Sequence, residues 1–202
     1  MSLLTIILSF LSVYGPLISV LGGIFGGEET LILFSIFAAH NVISIWVVAI
    51  FFYIGILISD TIWFFVGKTE LFNRIVSGKS ASKIYGYWDK LLDKATKGND
   101  FQALLITKFL YGFRLITIMY LSRERLDLKN FILYSIIVDA IWISVITTIG
   151  WLTGKGIAAA ANISNNLELV LILIGLSLLA FFLIMRFLSI LVKRWLIKKQ
   201  KQ

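Results

Sequence analysis

The sequence predicts an all-α polytopic membrane protein: an inverted-topology repeat with two re-entrant helical hairpins plus spanning helices. Three observations carry this expectation. Of 202 residues, 59% are hydrophobic and only 15% charged, with a mean hydropathy of +0.93, whereas soluble domains carry roughly 25% charge. All 19 Lys and Arg lie at or after Lys68, seven of them between Lys68 and Asp100 and six from Arg186 onward, the pattern of positive-inside loops. Finally, the adjacent carboxylates Glu28 and Glu29 fall within 67 residues that contain no Lys or Arg. Acids in such apolar surroundings line an internal site or a wet cavity.

The same composition excludes several classes. There is no cysteine and a single histidine, His40, so disulfides, thiolate nucleophiles, Cys-based or multi-His metal sites and a catalytic His pair are ruled out. No metal or cofactor is expected. The net charge of +8 is confined to loops and a tail, which argues against nucleic acid as a partner. No basic region precedes the first apolar run, so that run is expected to stay in the mature chain.

The chain is read as one membrane domain, 1–202, in four consecutive stretches. The first, residues 1–67, begins with 3–21, long enough to span or nearly span a bilayer but interrupted at Gly15-Pro16, as a kinked or an oblique interfacial helix. Gly22, Gly23, Gly26 and Gly27 then permit a tight reversal, and His40-Asn41 gives a second turn, so 22–45 reads as an acidic re-entrant hairpin. Irregular backbone survives at membrane depth only inside protein or along a wet cavity. Residues 46–67 form the clearest span, with Trp46 and Trp63 near its ends and Asp60 one turn before Trp63.

The second stretch, 68–100, is a polar connector. Its Ile84, Trp88, Leu91, Leu92 and Ala95 recur at helical spacing, which suits a helix on the anionic cytoplasmic leaflet or a solvated connector. The third, 101–154, opens with a second, basic hairpin over 101–125, where Lys108 and Arg114 flank Gly112, and continues as a span over 131–154 containing Asp139. The fourth, 155–202, holds a short connector to Glu168, a span over 169–185 and a basic tail that places the C-terminus in the cytoplasm. Asp60-x-x-Trp63…Gly67-Lys68 matches Asp139-x-x-Trp142…Gly154-Lys155 on helices of opposite direction, the trace of an inverted repeat. Transporters of that kind bind substrate between broken helices.

Two blocks carry a family resemblance. Gly26-Gly27-Glu28-Glu29-Thr30-Leu31, followed by Gly55…Asp60…Gly67-Lys68, resembles the Pro-Gly-Glu hairpin of the DedA family, which carries the SNARE-associated or VTT domain. Lys108-Phe109-Leu110-Tyr111-Gly112-Phe113-Arg114, followed by Phe131…Trp142…Gly150…Gly154, resembles its Arg-Phe-x-Pro-Gly-x-Arg. The likeness covers about residues 15–155. It implies a multi-pass bacterial inner-membrane protein, not an enzyme, acting as a flippase for undecaprenyl phosphate or a phospholipid, with proton coupling proposed for several members. The family's acid falls on Glu28 or Glu29, and its two arginines on Lys108 and Arg114. Lys108 stands for an arginine, Tyr111 and Gly26 for prolines. A lysine meets phosphate as a point charge, without the bidentate fork of arginine.

The site expected is therefore Lys108, Arg114 and Arg123 on a lipid phosphate headgroup, with Glu28, Glu29, Asp60 and Asp139 coupling protons or gating. Two cations in a low-dielectric pocket bind phosphate well; the bland alternative is that they satisfy Asp60, Asp139 or Glu28. Neighbouring carboxylates raise at least one pKa, which suits a proton carrier, while a gate ion pair with Arg114 is the alternative for Glu28 or Glu29. Arg123 and Arg125 read as headgroup contacts, His40 as a turn residue before a proton relay, and the Trp and Phe residues as mainly lipid-facing. Partners are membrane lipids and protons; a homo-oligomer is allowed. Rival readings are a proton-coupled small-solute transporter or membrane homeostasis factor, and an enzyme on lipid phosphates running on carboxylates and a metal.

Overall fold

The computed structural model describes residues 13–70, 92, 96, 98–109, 114–164 and scattered positions between 172 and 190, and the regular structure among them is helical. In chain order the elements are α1 (residues 13–21), a wide π-helical turn Gly22–Gly26, α2 (Gly27–Ala39), α3 (Ile45–Gly67), α4 (Asp100–Lys108), α5 (Arg114–Glu124) and α6 (Leu128–Ser164). Val13–Ala39, Ile45–Gly67 and Leu128–Ile157 are each long and apolar enough to cross a bilayer. The chain is thus a membrane protein with transmembrane helices.

The first of these stretches does not run straight. Gly27 has φ 73°, a conformation that side chains with a Cβ disfavour. A Cβ placed on Gly22 would lie 3.0 Å from Thr30 Cγ2 and 3.4 Å from Phe34 Cε2, and one on Gly15 would lie 2.5 Å from Ile43 Cδ1. A continuous helix would separate residues 22 and 34 by about 18 Å, so α1 and α2 fold back along each other. The reversal falls at the glycines, and the returning arm pairs with residues upstream of 22. Pro16 lies within the helical residues 13–21. It removes one backbone donor while its φ stays helical, and Gly15 lets the helix pack directly on Ile43.

The chain divides into two compact units: Met1–Ser59 with Asp139–Leu183, and Asp60–Val138 with Ile184–Gln202. The division falls inside α3 and inside α6. In the first unit, glycines set the helix contacts. Gly23 meets the Phe52 carbonyl and Gly55, while Gly55 meets the Val20 carbonyl; Gly150 meets Ile32 and Ser35, and Gly154 meets Ile36 and Ala39. Between membrane helices, where lipid removes the hydrophobic drive, such close backbone approach supplies the attraction. Phe34 packs edge-on against Phe52 at 6.5 Å. The Ser59 hydroxyl donates to the Ile24 carbonyl at 3.2 Å, giving a partner to a carbonyl in the π-helical turn that water cannot reach in hydrocarbon.

The second unit packs α4 and α5 around Phe64, Leu104, Ile118, Leu121, Phe131 and Val138. Phe64 stacks on Phe131 at 4.5 Å, and Gly67 lies against Met119 and Ser122 of α5. Leu92 is buried in this core and Thr96 is buried beside it, so this end of the polar connector faces protein. Most of the leaflet-lying helix expected over 84–95 lies outside the described residues, as do Gly112, most of the expected span 169–185 and the basic tail.

Two further expectations need correction. Residues 155–164 continue α6 rather than forming a connector, because Ala158–Ala161 are strong helix formers and carry the helix past Gly154 and Gly156. The aromatic residues are only partly lipid-facing: Phe25, Trp46, Phe65 and Phe187 are exposed, whereas Phe34, Phe52, Phe64, Phe131 and Trp142 are buried. Their rings fill the space between helices, where large side chains gain dispersion contacts on every side. The lipid-facing stripes are mostly aliphatic. Trp46, Ile50, Ile54, Ile58 and Ile62 are exposed at every fourth position of α3, and Ile137, Ile141, Val145, Ile149 and Leu152 are exposed along α6.

Candidate functional site

The second unit contains a buried ionic cluster. Asp60 stands on α3, two turns before Gly67; Lys108 is the last residue of α4 and Arg114 the first of α5. Lys108 Nζ donates to Asp60 Oδ2 at 2.6 Å, and Arg114 donates through NH2 to Asp60 Oδ1. Asp60 is 1% exposed, Lys108 3% and Arg114 17%. Each oxygen of one carboxylate thus meets a different cation. Charge-assisted bonds of this kind are the strong ones, and the low local dielectric strengthens them further.

Local sequence explains the convergence. Gly67 has no Cβ to hold α5 away from α3, and a side chain there would strike Met119 and the Ser122 hydroxyl. The Ser122 hydroxyl donates to the Met119 carbonyl at 2.8 Å and so makes no polar demand on α3. Asn99 caps α4 by accepting from Gln102 N–H, and Lys108 at its C-terminus complements the negative end of the helix dipole. Thr107, beside Lys108, turns its hydroxyl back onto the Ala103 carbonyl at 2.7 Å. Arg125 ties the two helices: its Nε donates to Tyr120 Oη at 3.0 Å and NH1 stands 3.6 Å from Asp100 Oδ1.

Of the residues singled out from sequence, the structure gathers Asp60, Lys108 and Arg114 into one cluster. Arg123 is outside it, on the surface, 3.1 Å from Glu124. Arg125, read as a headgroup contact, is instead held by Tyr120 and Asp100. That clamp was not anticipated, since its members are widely spaced and individually ordinary. In the first unit, Glu28 and Glu29 occupy the first turn of α2, half-buried, where the positive end of the helix dipole favours acids. Asp139 is fully buried on α6, within electrostatic reach of Tyr53 on α3, a neighbour the sequence did not flag. His40 sits exposed at the turn closing α2.

Fold and cluster together define the class, a helical membrane protein with a carboxylate and two cations buried among its apolar helices. Over 152 residues the chain is 25% identical to the inner membrane protein YohD of Escherichia coli (strain K12), covering 74% of this chain and 76% of that one. No family model matches the chain, and no solved structure matches it.

Proposed function

We propose that the chain is a DedA-like lipid transporter that carries a phosphate-bearing lipid, undecaprenyl phosphate or a phospholipid, across the bacterial inner membrane. The observation that carries this reading is the convergence of Lys108 and Arg114 on the two oxygens of Asp60. A buried carboxylate held by two cations occupies the place a phosphate takes between the same groups. In this reading Asp60 is the resident anion, and the lipid phosphate exchanges with it. A proton arriving on Asp60 removes its charge and releases both cations to the phosphate; the proton leaves when the headgroup does. Proton and lipid are thereby coupled through one carboxylate, and no covalent bond is made or broken.

The glycine contacts support an inverted repeat with re-entrant hairpins. In the first unit α2 returns along Gly150 and Gly154 of α6; in the second, α5 returns along Gly67 of α3. Each returning helix packs on the spanning helix of the other sequence half. Such an arrangement leaves ionisable groups inside protein at membrane depth, where they mark transport pathways.

The test is reconstitution of the whole chain in liposomes with labelled undecaprenyl phosphate or labelled phospholipid. The wild type accelerates transbilayer movement, Arg114→Ala abolishes it, and Lys108→Arg retains it. Unchanged rates with every lipid tried would refute the proposal.

A further inference from the structure

Two cavities in the first unit adjoin each other, sharing Ile45 and Trp151. The larger, about 670 Å³, is lined by Pro16, Asn41, Ser44, Ile45, Trp151 and Lys155 among others. The smaller, about 350 Å³, is an apolar crevice between the first turns of α3 (Trp46, Ala49) and α6 (Ile143, Thr147, Thr148). We propose that together they bind one anionic lipid, its phosphate beside Lys155 and its acyl chain in the crevice.

Five observations carry this. Lys155 is exposed at the larger cavity, with Nζ 5.3 Å from the centre of the Trp151 ring. Gly154 packs against Ile36 and Ala39, which fixes the adjacent lysine relative to the Asn41 turn. The positive end of the 23-residue helix α3 opens on the same cavity through Ile45 and Val47, so a second source of positive potential meets the phosphate. No acidic residue is among the described residues lining either cavity.

The fifth observation is Thr147. Ser144, Thr148 and Thr153 each turn the hydroxyl back to a carbonyl four residues earlier. Thr147 does not: its hydroxyl is buried against the crevice without a hydrogen-bond partner among the described residues. An unmet hydroxyl in an apolar wall is costly, and a lipid ester carbonyl meets it. Lys155 and Thr147 are eight positions apart on α6, about 12 Å along the axis, and the Lys155 side chain lies back over Trp151, one turn nearer Thr147, which brings its ammonium within the short phosphate-to-ester span of one lipid. The crevice is open to the bilayer at Trp46, Ser144 and Thr148, which are exposed next to the aliphatic stripes. This site does not depend on the ionic cluster or on transport.

The experiment uses the purified whole chain in neutral detergent with a phosphatidylglycerol carrying a photoactivatable diazirine on its acyl chain. Labelling is expected on peptides containing residues 45–49 and 143–151, displaced by unlabelled phosphatidylglycerol. Lys155→Gln should lower it about tenfold, the loss of one charge-assisted contact, and Lys155→Arg should restore it. Thr147→Val should lower it about threefold with thermal stability kept. Arg114→Ala should leave labelling intact, which separates this site from the transport reading. Equal labelling by a phosphatidylcholine probe of the same design, indifference to Lys155→Gln, or displacement by inorganic phosphate alone would each overturn the proposal.

Discussion

Asp60→Asn tests the ionic cluster most directly. The change keeps the shape of the side chain and removes its charge, leaving Lys108, 3% exposed, and Arg114, 17% exposed, without the anion they converge on. Removing one partner of a buried ion pair costs about 3–5 kcal/mol, because the other charge stays desolvated. Arg114 is partly accessible and recovers some solvation, so the lower half of that range is expected. For a chain of this size each kcal/mol moves the melting temperature by roughly 2–4 °C, which places the loss at roughly 6–16 °C. The assay is thermal unfolding in a mild detergent, followed by tryptophan fluorescence or helix signal. Asp60→Leu combined with Lys108→Met and Arg114→Met should recover most of the loss, since replacing a whole buried ionic group by apolar side chains is often neutral or stabilising. If Asp60→Asn melts with the wild type, or the apolar triple variant melts lower than the single one, the cluster is not a buried ionic unit and the reasoning fails.

Other outcomes follow from packing. Gly67→Val places atoms against the Met119 backbone at 2.7 Å, which cannot yield as a flexible side chain would; it should lower the yield of folded protein on gel filtration and abolish the proposed lipid movement in liposomes. Gly156→Ala, which meets nothing within 4 Å, should stabilise α6 by up to about 1 kcal/mol in thermal unfolding. Phe131→Ala removes the ring stacked on Phe64 and should cost about 3–5 kcal/mol, read by the same melts. Arg125→Gln, at a half-buried clamp with Asp100 and Tyr120, should cost no more than about 1 kcal/mol, and a larger loss would show that α4 and α5 depend on it.

Sequence alone determined the class and the raw material of the site. Apolar runs free of charge needed only composition to be read as membrane helices, because the cost of burying charge in lipid is local to each segment. The α3 span over 46–67 was expected within one residue of its observed start. Lys108 and Arg114 stood out for the same reason, as cations within apolar sequence. The end of α6 was misplaced because Gly154 and Lys155 look like a stop, whereas the alanines beyond them propagate the helix. Only the tertiary structure decided which acid the cations meet. Glu28, Glu29, Asp60 and Asp139 were equivalent in the sequence, each an acid in apolar surroundings. Asp60 lies 48 and 54 positions from its partners, and nothing local links them. The link is Gly67, which lets α5 rest on α3 and so fixes the register at which one carboxylate faces two cations. Pairing at that range is settled by backbone approach at a glycine, a contact that exists only once both helices are in place.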